Sequence, residues 1–206
     1  EAMAKASKLP VTIKTRIGYN DVENFEFLKS FIQTTKNAGS KKFIIHARKA
    51  LLKKLTPKEN LNIPPLKYDF VYKLKDYFKD DEIIINGGVK TTEEIKKHLT
   101  IVDGVMIGRE ACNNPLILRE INRSIYEDKA IEMTEFFEKM FEYILKESNH
   151  GTGVHFITRH MTSLFKGMPG AKEWRNLSGG IESKKSSAED LVRSMQLFVE
   201  DRITQH

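Results

Sequence analysis

The sequence predicts an α/β fold: half of a (β/α)8 TIM barrel followed by an all-α helical domain. Three observations carry this. Four short apolar runs, at 11–17, 42–48, 83–86 and 103–109, are each followed by a connection or helix-like stretch. Each run ends in polar residues or glycine: Lys14 and Arg16, His46 and Arg48, Asn86-Gly87-Gly88, and Gly108-Arg109. The alternation stops near Asn114, beyond which the periodicity is helical only. A complete barrel needs roughly 250 residues, whereas this chain has 206. It is therefore either a smaller α/β fold or a piece of a longer chain, and an opening Glu1 in place of Met favours the second.

The elements follow in order. Residues 1–8 resemble the end of a helix, broken at Leu9-Pro10. Val11, Ile13 and Ile17 then alternate with Thr12, Lys14 and Arg16, the period of a strand. In a barrel the apolar face lies under helices and Lys14 and Arg16 point inward near the C-terminal mouth; on an edge strand the same charges are simply solvated. A helix is expected over 22–37, closed by Ala38-Gly39-Ser40. The run 42–48 is the second strand. A long connection follows, 49–65, carrying Lys49, Lys53, Lys54 and Lys58; such a length without structure is unusual unless it is functional. Helices are expected over 68–79 and 91–99, the latter opened by Thr91-Thr92-Glu93-Glu94. Past Pro115, helices are expected over 116–126, 134–149, 154–166, 171–177 and 186–204, with breaks at Gly151-Thr152-Gly153, Gly167-Met168-Pro169-Gly170 and Ser178-Gly179-Gly180. The expected domains are 1–114 and 115–206.

Composition narrows the function classes. Forty per cent apolar residues suffice for one sizeable core and a small second domain. A net charge of +6 is compatible with nucleic acid without requiring it. The lone Cys112 excludes an internal disulfide and a multi-cysteine metal cluster and suits a reducing compartment; the expected location is cytoplasmic, with an organelle as the alternative. There is no metal-ligand spacing, no apolar run near the roughly 18 residues of a membrane span, no Walker A motif and no Gly-x-Gly-x-x-Gly. In a parallel barrel the four strand tips share one rim. Glycines there let backbone N–H groups approach a phosphate, and Arg109 can add a charge-assisted bond. Lys14 and His46 would lie deeper, where a cation suits an electron-rich ring that becomes anionic on reduction, such as a flavin. As a lone histidine, His46 could equally be structural.

Several motifs together resemble a known family. They are Val11-Thr12-Ile13-Lys14-Thr15-Arg16-Ile17-Gly18, Phe43-Ile44-Ile45-His46-Ala47-Arg48-Lys49-Ala50, Pro57-Lys58-Glu59-Asn60 with Ile63-Pro64-Pro65-Leu66, Ile85-Asn86-Gly87-Gly88, and Gly104-Val105-Met106-Ile107-Gly108-Arg109-Glu110-Ala111. In the second domain they are Thr158-Arg159-His160-Met161, Leu164-Phe165-Lys166-Gly167-Met168-Pro169-Gly170-Ala171 and Trp174-Arg175. In this order the chain is similar to tRNA-dihydrouridine synthases of the DusA type. Each motif is weak by itself; jointly they are strong.

The resemblance implies the second half of a (β/α)8 TIM barrel, its last four βα units, binding FMN, then an all-α helical tRNA-binding domain. It implies a flavoprotein oxidoreductase that reduces the C5–C6 bond of D-loop uridines around positions 20 and 20a of tRNA, with NADPH reducing the flavin. By motif, Lys14 and His46 meet the flavin ring, and Asn86, Gly87, Gly88, Gly108 and Arg109 take the phosphate and ribityl region. The family's acid is a cysteine in an Asn-x-Gly-Cys-Pro segment. That segment is not in this chain, and Cys112 does not match it, so the chain carries no catalytic residue by motif, is expected to lack the family's first four strands, and is expected to be inactive alone.

The substrate uridine must be splayed out to meet a flavin face. Phosphate contacts are expected from Lys49, Lys58, Arg159, Lys166 and Arg175, although each could instead be a solvated surface charge. Leu51, Lys54 and Leu61 stand where the family usually has Trp, Gly and a basic residue. Two other classes are a non-catalytic tRNA-binding module with a remnant barrel and a phosphate-binding barrel of unrelated chemistry; the latter leaves the helical motifs unexplained. Neither a metal nor a membrane is expected as a partner. Open sheet edges would favour self-association.

Overall fold

A computed structural model describes residues 1–52, 55–127, 131–179 and 185–203. Lys53 and Lys54 of the long connection, Gly180 of the last expected break, and Thr204 at the expected end of the last helix lie outside these. The chain forms two compact units, Glu1–Gly108 and Arg109–His206, so the division falls slightly before the expected 114/115. The reason is that a short helix begins at Arg109, directly after the last strand tip.

In the first unit the elements are α1 (Ala2–Ala6), β1 (Thr12–Arg16), α2 (Phe25–Asn37), β2 (Lys42–His46), α3 (Tyr68–Tyr77), β3 (Glu82–Asn86), α4 (Thr92–Leu99) and β4 (Gly104–Met106). The strands are parallel and lie in sequence order, β1-β2-β3-β4, the arrangement of a partial barrel. Their alternation sorts the side chains by face. Phe43, Ile45, Ile83 and Ile85 are fully buried with Leu28 and Ile32 of α2 and Val71 and Leu74 of α3. Positions two apart along each strand share the opposite face, and the register aligns them into rows: Lys14, Ile44, Ile84 and Gly104, then Arg16, His46, Asn86 and Met106 at the C-terminal ends.

Helix boundaries follow local chemistry. Asn24 caps α2 by accepting from the Phe27 N–H at 2.7 Å, so the helix starts at Phe25 and not at Val22. Thr91 and Glu94 form a reciprocal capping box on α4. Asp103 sits before the N-terminal end of β4, away from the glycine tip it shares a motif with. Its carboxylate accepts from the Ile83 N–H at 2.8 Å and pairs with Lys75 at 2.8 Å. Burial opposes ionisation there, but these two bonds more than offset it and hold the carboxyl below its ordinary range. The long connection is not structureless: Glu59–Leu61 form a 3-10 turn.

The second unit is helical among the described residues: α5 (Arg109–Asn113), α6 (Ile117–Ser124), α7 (Met133–Asn149), α8 (Val154–Thr158), α9 (Ala171–Gly179) and α10 (Ala188–Ile203). The helix expected over 154–166 stops at Thr158. Beyond it the chain takes successive i to i+3 turns, such as Leu164 N–H to the Met161 carbonyl, and the Trp174 indole N–H donates to that same Met161 carbonyl at 2.7 Å. The break expected at 178–180 starts later, because Ser178 and Gly179 still belong to α9, where the Ser178 hydroxyl donates to the Trp174 carbonyl at 2.7 Å. Trp174 and Phe137 are among the most deeply buried side chains, with Phe165 and Phe198 closing an aromatic cluster. Phe165 lies 4.9 Å from Trp174, 5.0 Å from Phe198 and 5.7 Å from Phe137, centroid to centroid.

Replacing Phe165 with Ala removes the ring common to these three contacts. Urea denaturation followed by circular dichroism is expected to show a loss of about 3–5 kcal/mol.

Candidate functional site

The site is the row of side chains at the C-terminal ends of the first unit's strands, with the turn that follows β3. Asn86 ties three strands together there. Its amide Nδ2 donates to the Met106 carbonyl at 2.7 Å, and its own carbonyl accepts from the Ala47 N–H at 2.9 Å. The next two residues, Gly87 and Gly88, have φ of +117° and +75°, a left-handed backbone that only glycine adopts without strain. Their surroundings add a steric reason. A Cβ on Gly88 would lie 2.5 Å from Leu66 Cδ1, and one on Gly87 would lie 3.0 Å from Leu66 Cδ2 and 3.2 Å from His46 Nε2. Among the described residues no acceptor stands against the Gly88 N–H. The Gly87 carbonyl does have a partner, accepting from the Tyr68 hydroxyl at 2.6 Å.

Beside this turn stands His46, only 7% exposed. Burial comes first, then the charges of Arg16, Lys14 and Arg48, in pushing its pKa from 6.5 down to about 4. The imidazole is therefore neutral at pH 7, and its Nδ1 has no hydrogen-bond partner among the described residues. Lys14, more open to solvent, is held below its ordinary value by lost solvation and then by Arg16. The site thus offers a neutral ring, an ammonium group and a backbone N–H donor at Gly88, a set suited to a polar, anionic ligand with a planar part.

The other strand-tip cations are used to build the rim. Arg16 Nη1 donates to the carbonyls of Lys49 at 2.9 Å and Asn60 at 3.0 Å. Arg48 Nη1 donates to the carbonyls of Asn62 and Pro64. Asn60, buried, knits the connection from within: its Oδ1 accepts from the Leu51 N–H at 2.6 Å, and its Nδ2 donates to the carbonyls of Leu51 and Leu55 at 3.1 Å. In the sequence Asn60 and Leu66 stand out only as members of family motifs and Tyr68 only as the start of an expected helix, with no signal for their contacts here.

The remaining expected residues are placed as follows. Gly108 is exposed, and nothing lies within 4 Å of the position its Cβ would take, so open space surrounds it. Arg109 is the next residue, exposed, and opens α5 in the second unit. Lys49 pairs with Glu23 at 2.9 Å, and Lys67 holds the other oxygen of the same carboxylate at 3.1 Å. Burial opposes the charge on Glu23, but hydrogen bonds from the two lysines hold its pKa below the ordinary value. Lys58 is exposed in the connection. In the second unit Arg159, Lys166 and Arg175 are all exposed, with the Arg159 guanidinium 5.5 Å from the Phe156 ring centroid. The Cys112 thiol is exposed; its backbone carbonyl accepts from the Ser163 hydroxyl at 2.8 Å. No group of three or more His, Cys, Asp or Glu among the described residues can hold a metal ion. No helix among the described residues is long and apolar enough to cross a membrane.

Two expectations follow. Gly88→Ala should cost about 1–2 kcal/mol in urea denaturation, from left-handed strain and the clash with Leu66. His46 titrates at about 4 when folded and near 6.5 when unfolded, so the unfolded chain takes up the proton first as pH falls. Its contribution to stability is full above pH 6.5 and declines toward pH 4. The loss over that window, about 3 kcal/mol at most, should disappear in His46→Gln when stability is measured against pH.

A model of the family described as dihydrouridine synthase (Dus) matches residues 1–200. Among curated relatives, the tRNA-dihydrouridine(20/20a) synthase of Pasteurella multocida strain Pm70 is 42% identical over 200 residues, covering 96% of this chain and 61% of that protein. The protein of the same name from Escherichia coli strain K12 is 44% identical over 206 residues, 98% of this chain and 60% of its own. That of Vibrio cholerae El Tor Inaba N16961 is 47% identical over 177 residues, 84% of this chain and 54% of its own. The chain thus spans at most 61% of the length of these three relatives.

Proposed function

This chain belongs to the dihydrouridine synthase family, with DusA-type relatives, and from that premise we propose that it is the FMN-holding and tRNA-engaging portion of a tRNA-dihydrouridine synthase. In this reading the first unit is the second half of a (β/α)8 barrel and the second unit is the tRNA-binding helical domain. The observation that carries the cofactor assignment is the left-handed Gly87-Gly88 turn, with the Gly88 N–H unpaired among the described residues, beside a neutral, buried His46. FMN has the two parts this arrangement fits, a phosphate and a planar heterocycle.

The Gly87-Gly88 turn offers the Gly88 N–H to the phosphate, and the open space at Gly108 leaves room for the ligand's approach. Arg109, by family motif, adds its charge to the phosphate. Asn86 keeps the tips of β2, β3 and β4 in register. Lys14 and His46 serve the ring end, His46 as an uncharged hydrogen-bonding group and Lys14 as a cation. FMN, when bound, supplies the reduction of the uracil C5–C6 bond, with NADPH as the source of reducing equivalents. The proton for C5 needs a donor. These 206 residues contain neither an Asn-x-Gly-Cys-Pro segment nor any cysteine besides Cys112, so the chain alone forms no dihydrouridine.

On the tRNA side, Lys58 in the first unit and Arg159, Lys166 and Arg175 in the second have their charges open to solvent and take phosphate contacts. Lys49 must exchange its Glu23 partner to do so.

The purified chain mixed with FMN is expected to turn yellow with one flavin per chain, and with NADPH and unmodified tRNA to yield no dihydrouridine. Dihydrouridine formation would overturn the missing-donor reading. A colourless preparation that still binds tRNA would favour a non-catalytic tRNA-binding module. Lys166→Ala and Arg159→Ala should each weaken binding to different tRNAs about equally, and each should reduce the salt slope by about one.

A further inference from the structure

Tyr68 is assigned no role by the family motifs, yet it reaches the turn that the phosphate assignment depends on. It opens α3, and its hydroxyl donates to the Gly87 carbonyl at 2.6 Å. A trans peptide is planar, so the carbonyl of Gly87 and the N–H of Gly88 point in opposite directions. Gripping the carbonyl therefore fixes where the Gly88 N–H is aimed, on the far side from Tyr68. Glycine needs such a grip. With φ of +75° at Gly88 and no side chain on either residue, the turn has no other side-chain hydrogen bond among the described residues to hold that peptide plane.

The phenol is itself held in place. Its ring meets His98 edge-on at 4.6 Å, and the His98 Nδ1 is hydrogen-bonded to the Tyr72 hydroxyl at 2.9 Å. The phenol oxygen would lie only 3.1 Å from a Cβ on Gly88. Burial first, then the Glu94 charge, raises the Tyr68 pKa above 10, so the hydroxyl keeps its proton as a donor.

We propose that Tyr68 is a positioning residue that presets the Gly87-Gly88 peptide for a phosphate monoester, and so sets the preference of this site for a phosphorylated flavin over its dephosphorylated form. The inference rests on the flavin reading above. The test titrates FMN and riboflavin, by flavin fluorescence quenching, into the full chain, Tyr68→Phe and Tyr72→Phe. Tyr68→Phe keeps the ring against His98 and removes only the hydroxyl. It is expected to weaken FMN roughly ten-fold and leave riboflavin unchanged, collapsing the ratio. Tyr72→Phe loses a hydroxyl in the same cluster without touching Gly87, and is expected to keep the wild-type ratio. Equal weakening of both flavins by Tyr68→Phe, or no change in the ratio, overturns the role of Tyr68 alone. Failure of the wild-type chain to bind FMN overturns the flavin reading and this inference with it.

Discussion

The parallel register of β1 to β4 is the constraint on which the candidate site depends. It aligns Arg16, His46, Asn86 and Met106 in one row and puts Phe43, Ile45, Ile83 and Ile85 on the other face. A slip of one residue would turn the apolar set away from α2 and α3 and send the polar tips into the core. Burial of one face thus enforces the position of the other. The Asn86 bonds to Met106 and Ala47 extend the same alignment past the ladder's end.

Crowding of positive charge is the second theme. Burial first, and then the charges of Arg16, Lys14 and Arg48, keep His46 neutral. Such a cluster is tolerable because two of the three are given oxygen partners: the Lys49, Asn60, Asn62 and Pro64 carbonyls surround the guanidinium groups. The long connection after β2 is thus the dielectric partner of the site as well as its rim. Asn60 closes the connection on itself through its bonds to Leu51 and Leu55.

Much of this was legible in the sequence where one periodicity decided the outcome. The alternation at Val11–Ile17 does place Ile13 and Ile17 toward the helices and Lys14 and Arg16 on the opposite face, because a strand's side-chain period leaves no third choice. The glycine pair at 87–88 was readable because two adjacent glycines after an apolar run imply a backbone other residues avoid. What stayed hidden depends on contacts distant in sequence. By pattern Arg16 is a mouth cation, yet it is bonded to the carbonyls of Lys49 and Asn60; by pattern Lys49 is a phosphate contact or a solvated charge, yet it is paired with Glu23. Helicity at 159–166 failed for the same reason: the pattern of Met161, Leu164 and Phe165 fits a helix, but a chain of tight turns also buries those three, and Trp174 takes the Met161 carbonyl.

The buried indole has a practical consequence. The chain has a single tryptophan, and Trp174 is fully enclosed by the aromatic core of the helical unit. The helical unit therefore carries a built-in optical reporter, and the strand unit carries none of that kind. Exciting the indole selectively gives a signal whose change on denaturation reads water entry into one core only. The order in which the two halves of the chain lose structure can then be followed without a label, by comparing indole emission with a far-ultraviolet probe that sees both.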